Sequence, residues 1–320
     1  MVAKLQNISY TPYLRRPLAD RPPDRSERNL QTVTTASALS AALASARRPG
    51  VTIGFVPTMG ALHAGHAALI RACRAACDVT VASIFVNPTQ FNESADLDAY
   101  PRTPVADTEL LAAHGCDFLY LPAVEDMYPD GLQAASPAHG LDYGTLTATL
   151  EGAHRPGHFA GVVQVVHRLL AVVRPELLFL GQKDYQQVAV LRRMITGLDL
   201  PVRIRVVPTV READGLALSS RNRRLTPKQR VAAGKINQHL AAVAAGVRSG
   251  WPARELERLA REGIAAVPPL VPEYVAVVDG STLLPYEDGA AAEAVVVVAA
   301  VRVGEVRLID NRIARQANPI

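Results

Sequence analysis

Apolar positions along this 320-residue chain recur in two alternating rhythms. Val51, Ile53, Phe55 and Val56 read as a strand, and from Gly65 onward Ala67, Leu69, Ile70, Cys73 and Cys77 fall at helical spacing. The next strand, Val79 to Val86, is apolar almost throughout, the mark of a parallel sheet covered on both faces. A helix over Ala36 to Arg47 precedes this unit. After it come a helix at Val105 to Ala113, a strand at Asp117 to Leu121 and a helix at Gly161 to Val173. A strand at Glu176 to Leu180, a helix at Tyr185 to Gly197 and a strand at Val202 to Val207 complete the alternation. The series predicts an α/β fold, a Rossmann-like doubly wound parallel sheet.

The rhythm changes after a polar loop from Pro208 to Pro227. Two helices, Lys228 to Val247 and Ala253 to Ala265, lead to strands at Tyr274 to Val278, Ala294 to Val303 and Val306 to Ile309. A second, smaller α+β domain, a lid over the first, is expected there. Residues 1–30 mix Pro, Arg, Asp and Ser without periodicity and predict a disordered or loosely docked extension. The expected division is therefore 1–30, 31–208 and 209–320. Gln133 to Thr149 shows no readable pattern.

Composition narrows the class. The chain is 49% hydrophobic, enough for a sizeable core, while its longest apolar run, Ala294 to Val301, is too short for a membrane span. The net charge of +4 is concentrated in residues 1–50, which carry eight basic against three acidic residues. With aromatics at 5%, no basic stripe interleaved with rings suggests a nucleic-acid groove. Three cysteines, two of them one helical turn apart on an apolar face, predict packed thiols in a reducing, cytoplasmic setting. No second Cys/His pair stands at zinc-site spacing. Arg15-Arg16 lacks the apolar segment an export signal needs.

In open α/β sheets ligands bind beyond the carboxyl ends of the strands, so polar clusters that follow apolar strands carry most weight. After the first strand, Met59-Gly60-Ala61-Leu62-His63-Ala64-Gly65-His66 places two imidazoles one turn apart at a helix start. Unpaired N–H groups and the positive helix end there favour an anion such as a polyphosphate. After Val86, Asn87 and Gln90 offer amides suited to a hydroxylated carboxylate. After Leu180, Gly181-Gln182-Lys183-Asp184 presents one of only four lysines in the chain, with Gln187 next on the helix. Arg155 lies in the shaped loop Glu151 to Phe159, placed to meet an anion. Ser219, Ser220 and Arg221 lie on the polar loop between the domains, able to grip phosphates from the side opposite the histidines. The set favours positioning and charge stabilisation at a transferring phosphorus. Another nucleotidylyltransferase, or a silent nucleotide-binding module, would share much of it.

Five segments together carry a resemblance. Pro57-Thr58-Met59-Gly60-Ala61-Leu62-His63-x-Gly-His66, Phe85-Val86-Asn87-Pro88-x-Gln90-Phe91, Tyr100-Pro101-Arg102, Gly181-x-Lys183-Asp184-Tyr185-Gln186-Gln187 and Ser219-Ser220-Arg221-Asn222 resemble, in order, the pantoate–β-alanine ligase family of the His-x-Gly-His nucleotidylyltransferases. The likeness runs from about Ala36 to the C-terminus. It implies ATP-dependent ligation of pantoate and β-alanine through pantoyl adenylate, with Mg²⁺ arriving on ATP, and a homodimer. Carried over by position, His63, His66, Lys183 and Arg221 would be catalytic, His66 as stabiliser or proton donor. ATP would meet Met59 to His66, Gly181 to Asp184, Val210 and Leu218 to Arg221. Gln90 and Gln187 would hold pantoate, with Asn87 in support and Gln90 also near β-alanine. Three features depart from the family: Gln182 where Glu is common, Leu218 where Met is usual, and residues 1–30 without counterpart.

Overall fold

In this computed structural model residues 29–92 and 94–317 are described; the extension expected over residues 1–30 lies outside them except for Asn29 and Leu30. Six parallel strands form the main sheet: β1 (Gln31–Val33), β2 (Ile53–Thr58), β3 (Val79–Ile84), β4 (Phe118–Tyr120), β5 (Leu177–Gly181) and β6 (Arg203–Val207). Their order is β1-β4-β3-β2-β5-β6. Helices α1 (Ala36–Ala46), α2 (Ala64–Ala76), α3 (Ser94–Asp98), α4 (Pro104–Ala113), α5 (Val124–Met127) and α6 (Thr145–Ala148) connect them. So do α7 (Glu151–His154), α8 (His158–Val173) and α9 (Tyr185–Gly197). The unread stretch 133–149 resolves into a 3₁₀ turn at Pro137–Gly140 followed by α6.

Successive strand residues point to opposite faces, and both faces are buried. Phe55, Leu178 and Leu180 pack with α1, α8 and α9 side chains such as Leu39, Val162 and Leu191. Val56, Leu177 and Phe179 pack with Ile70 and Cys73 of α2 and Leu111 of α4. Cys73, Cys77 and Cys116 are free thiols inside that second layer. Two-sided burial is the reason these strands read as continuous apolar runs.

The second unit is a three-stranded antiparallel sheet, β7 (Leu270–Asp279), β8 (Ala294–Val303) and β9 (Val306–Gln316), under α10 (Pro227–Arg248) and α11 (Ala253–Ala265). β9 runs seven residues past the Val306 to Ile309 expectation. Its outer half, Asp310 to Gln316, is polar by composition but stays paired with β8 as far as Gln316.

Strand order reverses at β2. From it the chain moves outward through β3 and β4, then returns to place β5 and β6 on the other side. A crevice is expected beyond the carboxyl ends of β2 and β5, and the loops after those strands carry the histidines and the lysine.

Candidate active site

The turn after β2 is held from a distance. Gly60 and Ala61 both take left-handed backbone angles, φ +82° and +50°, and Ala61 is one of few non-glycine residues to do so. Asp107, buried on α4, stabilises that bend: its carboxylate accepts from Ala61 N at 2.9 Å, Leu62 N at 2.7 Å and Thr103 Oγ1 at 3.0 Å. Gly60, Ala61, Leu62 and Ala64 consequently form the back of the turn and do not face the cavity.

The two histidines cap α2. His63 Nδ1 accepts from Gly65 N at 3.1 Å, and His66 Nδ1 accepts from His63 N at 3.3 Å. Two helix-start amides expected to be unpaired are therefore occupied by the rings. Each Nδ1 is an acceptor, so each neutral ring carries its proton on Nε2. The ring centroids lie 4.2 Å apart. Burial, then the charges of Lys183 and Arg223, lowers the His63 pKa from 6.5 to about 4. Burial, then His63 and Lys183, lowers that of His66 to about 3. Both are neutral hydrogen-bond donors near neutral pH.

Lys183 stands in the 3₁₀ turn Gln182–Asp184 that links β5 to α9, with its ammonium 3.2 Å from Asp184 Oδ1. Its influence on both imidazoles brings the lysine and the histidines into one electrostatic neighbourhood. Gln182 turns away from the cavity, and its Nε2 donates to Asn311 Oδ1 at 3.1 Å.

Beyond β6 the loop folds on itself, Leu218 N donating to Val210 O at 3.0 Å. Ser219 then caps the short helix Ser220–Arg224. Arg221 Nη2 donates to Asp96 Oδ2 at 3.0 Å, and Arg224 Nη1 reaches Asp96 Oδ1 at 3.4 Å. The guanidinium is thus ion-paired across the cavity with α3, a contact the sequence did not suggest.

At the other end Asn87 is fully engaged. Its Nδ2 donates to Gln90 Oε1 and Gly161 O, both at 3.1 Å, and its Oδ1 accepts from Tyr128 OH at 2.7 Å. The residue orients Gln90, whose Nε2 points to Met59 Sδ at 2.9 Å. Arg155 is held by His158, whose Nε2 accepts from Arg155 Nη1 at 3.2 Å, so that Nδ1–H donates to Gln90 O at 2.9 Å. Burial and then Arg155 lower the His158 pKa to about 4.

These groups line one cavity of about 580 Å³. Of the residues singled out from sequence, Met59, His63, Gly65, His66, Asn87, Gln90, Arg155, Gly181, Lys183, Asp184, Gln187, Val210 and Leu218 to Arg221 face it. Gly60, Ala61, Leu62, Ala64 and Gln182 support it from behind. Asp96, His158 and Arg307 also face it and were missed. His158 lay within a loop already marked as shaped, whereas Asp96 and Arg307 had no local signal. The second unit supplies one wall: Glu151 accepts from Arg307 Nη1 and Nη2 at 2.6 and 2.7 Å, and from Tyr274 OH at 2.6 Å.

A family model described as pantoate-beta-alanine ligase matches residues 31–313. A pantothenate synthetase of Porphyromonas gingivalis strain W83 is 45% identical over 285 residues, covering 88% of this chain and 98% of that protein. One from Pseudomonas putida KT2440 is 47% identical, covering 88% and 96%. Among solved structures, pantothenate synthetase from Thermus thermophilus superposes with a TM-score of 0.82 at 44% identity, covering 90% of this chain and 100% of that one. A Francisella tularensis pantoate-beta-alanine ligase, solved with Beta-gamma ATP and Beta-alanine, gives 0.74 at 32%, covering 89% and 98%. Likeness of this extent, over the whole described fold and both walls of the cavity, means that the chain belongs to the pantoate–β-alanine ligase family.

Proposed function

We propose that the chain joins pantoate to β-alanine at the expense of ATP, giving pantothenate, AMP and pyrophosphate through pantoyl adenylate. The observation that carries this reading is the gathering of two neutral Nε2–H donors, the Lys183 ammonium and the Arg221 guanidinium around one cavity at the point where strand order reverses. Residues 31–208 form the ATP- and pantoate-binding domain, and 209–320 the lid that reaches ATP through Val210 and Leu218 to Arg221.

ATP lies with its base against Val210 and Leu218 and its phosphates between the histidines with Lys183 on one side and Ser219 to Arg221 on the other. Pantoate is held by Gln90, Gln187 and Arg155, with Asn87 and His158 fixing the first and last of these. A pantoate carboxylate oxygen forms a bond to the α-phosphorus, and the bond from that phosphorus to the β-bridging oxygen breaks. Pyrophosphate leaves with the electron pair. Charge that builds on the phosphoryl oxygens is met by fixed donors in a partly dehydrated cavity, where such donors are most effective. His63 and His66 act here as hydrogen-bond donors through Nε2–H, since their lowered pKa values leave both rings uncharged in the free protein at neutral pH, without the second, acidic proton of an imidazolium. The uncharged amine of β-alanine next attacks the acyl carbon, the acyl carbon–oxygen bond breaks, and AMP leaves. One amine proton is released as the amide forms.

Among the described residues no group of three or more His, Cys, Asp or Glu could hold a metal ion. The family resemblance has magnesium arriving on ATP as its counter-ion, neutralising phosphate charge, with Asp184 the carboxylate beside Lys183 able to meet it. A cytoplasmic setting is supported by three buried free thiols; no described helix is long and apolar enough to cross a membrane. The homodimer rests on the family resemblance.

The reading is tested by measuring pyrophosphate from ATP with pantoate present and β-alanine withheld. Pyrophosphate near the enzyme concentration is expected, and His66→Ala or Lys183→Ala should lower its rate at least about a hundredfold, the loss typical of one transition-state donor. Release that ignores pantoate, or variants with unchanged rates, would overturn it.

A further inference from the structure

Asn311 lies on β9, in the second unit, opposite Val298 of β8. Its side chain is nonetheless committed to the turn that bears Lys183. Nδ2 donates to Gln182 O at 2.9 Å and to Lys183 O at 2.8 Å, and Oδ1 accepts from Gln182 Nε2 at 3.1 Å. The residue is 2% exposed, so its side-chain amide has little water to turn to and is committed to these bonds. Two donors from one nitrogen onto consecutive carbonyls fix the planes of both peptides, and with them the direction in which Lys183 leaves the backbone.

Asn311 is itself immobilised. Its N–H donates to Asp310 Oδ1 at 2.7 Å and its carbonyl accepts from Arg211 Nη2 at 3.0 Å. Arg211 also makes a two-pronged contact with the Asp310 carboxylate at 2.7 and 2.9 Å, and donates to Gly215 O at 3.0 Å. The second unit thus reaches the lysine turn through one amide and the Val210–Leu218 loop through the neighbouring carboxylate.

We infer that Asn311 is a positioning residue for the ATP step, holding the Gln182-Lys183 turn from the far side so that the ammonium points at the triphosphate. This rests on the ATP-binding role proposed for Lys183. It separates Asn311 from general cement between the two units, because its effect should pass through the phosphates alone.

The test compares ATP with adenosine, which keeps the base and ribose but offers Lys183 nothing to hold. In Asn311→Leu, of similar volume without the donors, KM for ATP should rise about tenfold to a hundredfold, the scale of loss from a misplaced charge. The inhibition constant of adenosine and KM for pantoate should stay within about twofold, less than one neutral hydrogen bond contributes. Thermal melting of each variant checks the fold. Should Asn311→Leu not melt cooperatively, Asn311→Asp, which turns an acceptor toward both carbonyls, and Gln182→Ala, which removes the return bond, are measured instead. Both should move ATP in the same direction. Equal weakening of ATP and adenosine, or no change in either, would overturn the inference. Lys183→Ala is run alongside: if it leaves both KM for ATP and the rate of pyrophosphate release unchanged, the lysine's own role fails and the inference with it, whereas a loss in Lys183→Ala without one in the Asn311 variants refutes Asn311 alone.

Discussion

Each imidazole of the His-x-Gly-His turn spends one nitrogen on the backbone, and that decides what the other can do. Protonating Nδ1 of either ring would break a cap of α2, while burial and Lys183 already oppose the charge. The ring resonances of His63 and His66, assigned through single His→Gln variants, should therefore not titrate in the free protein between about pH 5.5 and 8, the range in which an ordinary imidazole does. A midpoint near 6.5 for either would contradict the capped, neutral pair. The residues with this chemistry were legible because they cluster along the chain at strand ends. Their supports were not. Asp107 bonds to residues 45 and 46 positions earlier, Tyr128 reaches 41 positions back to Asn87, and Asn311 lies 128 or 129 from its carbonyls. Such pairings exist only in the folded chain, and one buried carboxylate or amide leaves no periodic trace.

Among the elements, α8 rests directly on the turn that bears Gln90. A Cβ built on Gly161 would lie 2.3 Å from Thr89 O and 2.7 Å from Gln90 N, both backbone atoms. Glycine is thus what lets the helix rest on the turn that presents Gln90. Gly161→Ala must push that turn outward and should raise KM for pantoate about tenfold or more, as misplacement of a binding group does, with KM for ATP little changed. Equal kinetics with the parent would show that the turn gives way freely. Elements with an unbroken apolar run or sustained periodicity, β2, β3, β5 and α8 to α11, follow the apolar pattern to within a few residues. β1, α3 and α5 to α7 escaped it because they are three to five residues long and lack the continuous apolar run that marks the equally short β5. The polar outer half of β9 escaped it for a different reason. Asp310 and Asn311 lie buried through bonds to other loops, so polarity there reports partners in place of solvent.

At the scale of the molecule, the two units meet over the cavity through Glu151 and Arg307. Burial pushes the Glu151 carboxyl up, but the hydrogen bonds and charge of Arg307 outweigh it, and the net shift is downward from 4.5. A lowered carboxyl pKa contributes stability above its unfolded value of about 4.5 and loses it as pH falls through the folded value. In Arg307→Ala the carboxylate is left buried without its cation. That should cost about 3–5 kcal/mol in urea unfolding near neutral pH, and the deficit should shrink on acidification, because burial alone then favours the protonated acid. A deficit independent of pH, or below about 1 kcal/mol, the value of a surface pair, would contradict the clasp. His63, His66 and His158 act on the parent in the same sense: each has a folded pKa below 6.5, so the unfolded chain takes up more protons and stability declines as pH drops from about 6.5 toward 4. Fold class was legible at this scale from the alternating apolar rhythm and the reaction from five segments in order; a covering unit was expected too, but not the pair that fixes it, since Glu151 and Arg307 lie 156 positions apart. The most direct measurement follows oxygen. With pantoate labelled by ¹⁸O in both carboxylate oxygens, attack at the α-phosphorus followed by aminolysis must leave one label in the AMP phosphate and one in the pantothenate amide carbonyl. Label appearing in pyrophosphate or inorganic phosphate, or AMP wholly unlabelled, would contradict the adenylate route.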